Sequence, residues 1–211
     1  MRTWPNISGI VLRASVFALM LIVAMGAPAE AHHVMGGRTP STFMDGLVSG
    51  LGHPVIGIDH LAFIVAIGIA AGVAGINIAI PSLFIAVSAV GVALHVRGVP
   101  LPGVEALVAL TVLVAGAAIA LGRSLHAGVW AALFAVAGLF HGYAFGESIF
   151  GAEASPLAAY LLGLVIVQAV LVTAVALLAR RLGPAAIEPR LAGAAIAGIG
   201  IAVLAGQMLP A

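Results

Sequence analysis

Six long apolar stretches divide the chain, near residues 45–72, 77–96, 103–122, 126–147, 156–179 and 190–209. Each is long enough to cross about 30 Å of hydrocarbon as a helix. The breaks between them read AGVAGIN, RGVPLPG, GRSLHAG, GAEASP and RRLGPAAIEPR, and carry the glycines, prolines and charges that end helices. Within the stretches, polar and apolar residues do not alternate, as a membrane β-barrel would require. Backbone groups in hydrocarbon must pair within their own segment, so helices are the expected solution. The pattern predicts an all-α polytopic membrane protein with six transmembrane helices.

The first thirty residues are organised differently. MRTWPNISGIVLR carries Arg2 and Arg13, ASVFALMLIVAMG is an apolar core, and APAEA supplies small residues at spacing two. That order is a secretory signal peptide over residues 1–31, cleaved after Ala31, with an uncleaved signal anchor as the alternative. Residues 32–211 then form the six-helix domain, and its amino terminus starts outside the cytoplasm.

Composition narrows the class. Of 211 residues, 63% are hydrophobic and only 7% charged, too few charges to clothe a soluble domain. The lipid bilayer is the expected partner, and a net charge of +1 offers nothing to nucleic acid. The chain has no cysteine, which excludes disulfides, thiolate metal sites and iron–sulfur clusters. All eight basic residues are arginines. With the amino terminus outside, Arg123, Arg180, Arg181 and Arg190 face the cytoplasm, against Arg38 and Arg97 outside, in keeping with the positive-inside rule. Both termini are then expected outside the cytoplasm. No soluble nucleotide-binding domain is predicted, and a homo-oligomer is compatible with the sequence.

Ionisable groups at mid-membrane cost about 2.5–3.5 kcal/mol on insertion scales, so the few present point to function. The first segment holds His53, Asp59 and His60; Glu105 begins the third; His141 and Glu147 lie in the fourth. His95 and His126 fall at segment ends and read as interfacial. Residues 53 and 60 are two helical turns apart and share a face on a straight helix. Pro54 removes a backbone donor, predicting a kink or a restart there. Asp59 is placed to ligate or to orient an imidazole. SGLGHPVIGID, residues 49–59, aligns without gaps on AGLFHGYAFGE, residues 137–147, and sets His53 against His141 and Asp59 against Glu147. Segments three apart cross in opposite directions, the signature of a 3+3 inverted repeat. That topology predicts a ladder: Glu105 and Glu147 at the outer mouth, His53 and His141 below, Asp59 and His60 near the middle.

Imidazole with carboxylate suits borderline divalent ions such as Ni²⁺, Co²⁺ and Zn²⁺. Cleavage after Ala31 would also expose the α-amino group of His32, which with its own imidazole can chelate a metal at the mouth. A metal here is cargo, and no resident cofactor is expected.

HPVIGIDH, with His53, Asp59 and His60, resembles the first-helix signature His-x5-Asp-His of the HupE/UreJ family of bacterial membrane proteins. FHGYAFGES resembles its fourth-helix signature, Phe-His-Gly-x-Ala-His-Gly-x-Glu. Phe145 occupies the place of the second histidine, and Glu147 falls one residue short of the final glutamate. The resemblance implies nickel or cobalt uptake for hydrogenase, urease or cobalamin systems. The expected function is a secondary permease for Ni²⁺ or Co²⁺ rather than an enzyme. The competing readings are an intramembrane metal-dependent hydrolase and a non-transporting accessory protein for metallocentre assembly.

Overall fold

The computed structural model describes residues 38–182 and 186–208. The signal-peptide segment and His32 lie outside the described residues. Among the described residues the protein is entirely helical: α1 (Phe43–Ile56), α2 (Ile58–Ala74), α3 (Ala79–Val96), α4 (Val104–Ala120), α5 (Ala127–Phe145), a 3-10 turn η1 (Gly146–Ile149), α6 (Ala154–Ala179) and α7 (Glu188–Met208). The elements match the six apolar stretches to within a few residues, with the first stretch split in two.

Four of these helices are long and apolar enough to cross a membrane: α3, α5 with η1, α6 and α7. The pair α1 and α2 passes the same test together but is bent by 78°, making five if it counts as one span. At 17 residues, α4 is a shorter apolar helix. By length and composition four to five of the six expected spans are therefore seen among the described residues, α4 being short and the first stretch broken.

The break sits at Gly57, with φ −70° and ψ 108°, between two regular helices. Pro54 lies inside α1, three residues before the break, so the helix passes the proline and restarts after it. The start of α1 is fixed by a capping box: Thr42 Oγ1 accepts from Asp45 N, and Asp45 Oδ2 accepts from Thr42 N. At their far ends α2 and α4 are closed by Gly75 and Gly122, both in the left-handed region with φ 61° and 62°.

Small residues set the packing. Helix α1 lies on α6 where Gly46 and Gly50 meet the backbones of Pro156 and Tyr160. Helix α2 follows the same partner further along, with Gly68 against Val172 and Val175 and Gly72 against Ala176 and Ala179. On α5, Gly138 and Gly142 meet Phe84 and Ser88 of α3. In both pairs the contact numbers rise together, so the paired helices run in the same direction. In the pair α4–α7 they run oppositely: Gly193 meets Gly116 and Ala120, whereas Gly200 meets Ala109 and Leu113. Such approaches suit helices in lipid, where close van der Waals contact replaces a hydrophobic driving force. The outward positions are large and apolar, among them Val90, Val114, Val136, Leu162, Val170 and Ile201. Helix α2 is central, with an unbroken buried run from Ala62 to Gly72. Its first turn carries the polar residues that the fold encloses.

Candidate metal-binding site

Three histidines meet where α1 breaks into α2. His53 is 2% exposed, His60 3% and His141 0%. His53 comes from the last turn of α1, His60 from the first turn of α2, and His141 from the end of α5. A straight helix would separate residues 53 and 60 by about 10.5 Å along its axis. The bend at Gly57 brings their ring centroids to 5.7 Å. The shared face expected from helical periodicity is thus replaced by a closer approach around a corner.

Hydrogen bonds fix the ring nitrogens. The Tyr160 hydroxyl donates to the Phe145 carbonyl at 2.6 Å, and its oxygen lies 3.2 Å from His53 Nδ1. Its one proton is committed to the carbonyl, so toward His53 the phenol accepts. His53 then carries its proton on Nδ1, beside Ser148 Oγ at 2.7 Å, and its lone pair on Nε2. A parallel chain orients His60. Thr111 Oγ1 donates to the Val108 carbonyl at 2.7 Å and so accepts from His141 Nε2 at 3.0 Å. His141 Nδ1 then accepts from His60 Nδ1 at 2.9 Å. His60 also keeps its lone pair on Nε2. Each of the two rings is thus oriented by partners on its Nδ1.

His141 is built differently. Both its nitrogens are engaged, one with His60 and one with Thr111. It links the His60 ring to Thr111. The gapless alignment paired His141 with His53; in space His141 bonds His60.

Asp59 is the charged member of the group. Its Oδ1 accepts from the His60 backbone N–H at 2.8 Å and lies 3.9 Å from His60 Nδ1. Its side chain is 14% exposed, against 4% for His60, so it forms the accessible edge of the cluster. Glu105 and Glu147 are exposed, in the first turn of α4 and in η1. Among the described residues, no three His, Asp or Glu side chains converge closely enough to hold an ion.

Phe145 accounts for part of that. Its ring lies 5.3 Å from His53 and 4.5 Å from His60, fully buried against both. Phe145→His would set a third imidazole beside the other two. Such a variant, purified, is expected to hold nickel at least tenfold more tightly than the parent, about 1.4 kcal/mol. Metal content after a chelator wash checks this: the variant should keep close to one equivalent and the parent none.

Ser148, Tyr160 and Thr111 were not among the residues singled out from the sequence. Each is a lone hydroxyl in an apolar run, recognisable only once a histidine from another helix faces it. His126 is exposed and caps α5, accepting from Gly128 N at 3.1 Å. His95 is half-buried, with its ring 4.6 Å from that of Tyr143.

The family model described as HupE / UreJ protein matches residues 19–203. Protein HupE of Rhizobium leguminosarum bv. viciae is 33% identical over 189 residues, covering 88% of this chain and 95% of that protein. No solved structure matches. Both signature stretches, with His53, Asp59 and His60 in one and His141 in the other, fall inside the matched region, and the chain belongs to the HupE/UreJ family.

Proposed function

We propose that the protein is a secondary permease that carries Ni²⁺ or Co²⁺ inward across the bacterial inner membrane. The observation that carries this reading is the buried His53–His60 pair at the α1–α2 break, with ring centroids 5.7 Å apart and the Asp59 carboxylate alongside, within a membrane-type helical bundle. Nitrogen ligands beside one carboxylate suit these borderline ions. His53, Asp59 and His60 exchange as ligands, His141 holds His60 in place, and Glu105 and Glu147 concentrate cations at the mouth. His32 is the proposed capture residue of a mature chain cleaved after Ala31. Among the described residues no three such side chains converge, so an ion would be held by fewer of them at a time than in the three-ligand shell of a catalytic zinc, which suits passage. Inward movement needs no nucleotide: a divalent ion gains about 4.6 kcal/mol across 100 mV, twice the single-charge value.

The topology proposed with this function is six crossings in a 3+3 inverted repeat. Helix directions support it: the first segment parallels the fifth, the second parallels the fourth, and the third opposes the sixth. A two-fold that exchanges the halves turns the first pairing into the second and the third pairing into itself. Gly50 and Gly138, equivalent in the repeat alignment, both sit against a neighbouring backbone.

Uptake of radioactive nickel and cobalt into cells lacking other importers tests the function. Accumulation above background for one of the two metals is expected, and none for either would sink the permease reading. Stoichiometric zinc retained by purified protein through chelation would favour the hydrolase instead. N-terminal sequencing should begin at His32; a start that retains the apolar core would remove the cleaved signal.

A further inference from the structure

The three imidazoles are closed off in this conformation. His53, His60 and His141 are each 3% exposed or less, so an ion reaches them only if something moves. The covers on the two sides differ in thickness. Beyond His141 lies the main apolar core: the Phe63 ring stands 4.8 Å from the imidazole, Phe84 and Phe134 pack on Phe63, and the buried run of α2 continues to Gly72. On the other side the cover is η1, a single turn. Glu147 in that turn is exposed, and the next residue, Ser148, is buried with its Oγ 2.7 Å from His53 Nδ1. One residue thus separates the surface of the protein from an imidazole.

The local structure of η1 suits movement. It continues α5 directly as 3-10 helix, whose hydrogen bonds are poorer than those of an α-helix and which often marks a hinge. The backbone bond that closes it, from Phe150 N to the Glu147 carbonyl, is 3.4 Å, beyond the usual range. Glycine stands at both ends. At Gly146 an added Cβ would collide with the Cβ of His95, so the near end is seated on α3, and the Phe145 carbonyl before it is held by Tyr160. At the far end Gly151 has φ 78°, and a Cβ there would meet nothing within 4 Å. Between them the turn is fastened by Ser148 on His53 and by Ile149, which packs with Val92, Tyr160 and Leu164. Segments held by few buried contacts open at the lowest cost.

We propose that η1 is the gate of the histidine site on the Glu147 side, turning outward between Gly146 and Gly151 to admit the cation, with the Ser148–His53 bond as its latch. The proposal rests on the permease reading. The latch ends on an imidazole that takes the ion, so arrival of the ion at His53 and closure of Ser148 on the same ring are coupled. A thin cover on one side and a thick one on the other let the first open while the second stays shut, as alternating access requires.

The chain has no cysteine, so single introduced thiols can report on opening. Ile149→Cys puts a thiol on the hidden side of η1. Glu147→Cys is the exposed reference, and Ala66→Cys, 0% exposed within α2, is the closed one. Membranes holding each variant are treated with a bulky water-soluble maleimide and the labelling rates compared. Ile149→Cys is expected to react at least about tenfold faster than Ala66→Cys. Adding Ser148→Ala, which removes the latch, should speed it by about fivefold more. Labelling of Ile149→Cys as slow as that of Ala66→Cys, with Glu147→Cys reactive, would overturn the gate. A rate that Ser148→Ala leaves unchanged would overturn the latch and the proposal with it. If Ile149→Cys does not accumulate, Ser148→Cys decides alone by the same comparison with Ala66→Cys. Labelling is read without transport. Absence of nickel uptake by wild type would therefore remove the permease reading, while the labelling rates still decide whether η1 opens.

Discussion

His60→Ala is expected to lower nickel or cobalt uptake by at least tenfold while the protein still reaches the membrane. Two losses act at once. The Nε2 lone pair that would ligate the ion is gone. The Nδ1 proton that satisfies His141 is gone as well, and His141 is fully buried. Leaving a buried acceptor without its donor costs about 1–3 kcal/mol, and the released His141 is free to turn away from Thr111. At 1.4 kcal/mol per factor of ten, the ligand's contribution alone reaches the tenfold level. Initial rates across metal concentrations separate the causes. His60→Ala should depress both the limiting rate and the apparent affinity. Thr111→Val, which removes only the acceptor for His141 Nε2, should weaken uptake a few-fold with His60 still in place. Equal uptake by wild type and His60→Ala would remove this histidine from the path.

The difference between those two variants reflects what the sequence could and could not show. The helices were legible because lipid imposes a single rule on backbone groups, and the apolar runs obey it with little ambiguity. Their breaks were legible for the same reason: Gly75 and Gly122 adopt positive φ where the punctuation stood. His53, Asp59 and His60 stood out because charge and imidazole are costly there. Their geometry was not legible. A proline at residue 54 suggests a break at or before it, but the chain turns at Gly57, and only that corner gives a 5.7 Å ring separation. The role of His141 depended on Thr111 and His60, which lie 30 and 81 residues away along the chain. Hydroxyls such as Ser148 and Tyr160 carry no periodic signal, so long-range pairing alone reveals them. Phe145 was visible as a departure from a pattern, yet its seat against both rings required the fold.

Gly142→Val should be among the most damaging single changes in the chain, and for a reason unrelated to metal. A Cβ at residue 142 would stand 2.6 Å from the carbonyl carbon of Ser88 and closer still to its oxygen. Both atoms are backbone, so no side-chain rotation relieves the contact, and α3 and α5 must part. Overpacking a well-filled interior costs about 1–3 kcal/mol and more when backbone has to move. The expected cost here is about 3 kcal/mol or above, because in lipid the lost helix contact is the main force joining the pair. Separation of α3 from α5 also shifts His141, the next residue, and with it the support for His60. Gly142→Val should therefore lose both accumulation in the membrane and uptake. Gly50→Val should behave alike on the α1–α6 side, where a Cβ would meet the carbonyl carbon of Tyr160 at 2.9 Å. Gly198→Ala is the contrasting case. A Cβ there meets nothing within 4 Å, and the residue lies inside α7. Alanine at a helix interior is favoured over glycine by about 0.5–1 kcal/mol, so this variant should match or exceed wild-type stability. Thermal unfolding in detergent, read beside membrane yield, distinguishes the three. A Gly142→Val protein as stable as Gly198→Ala would contradict the close α3–α5 approach on which the position of His141 depends.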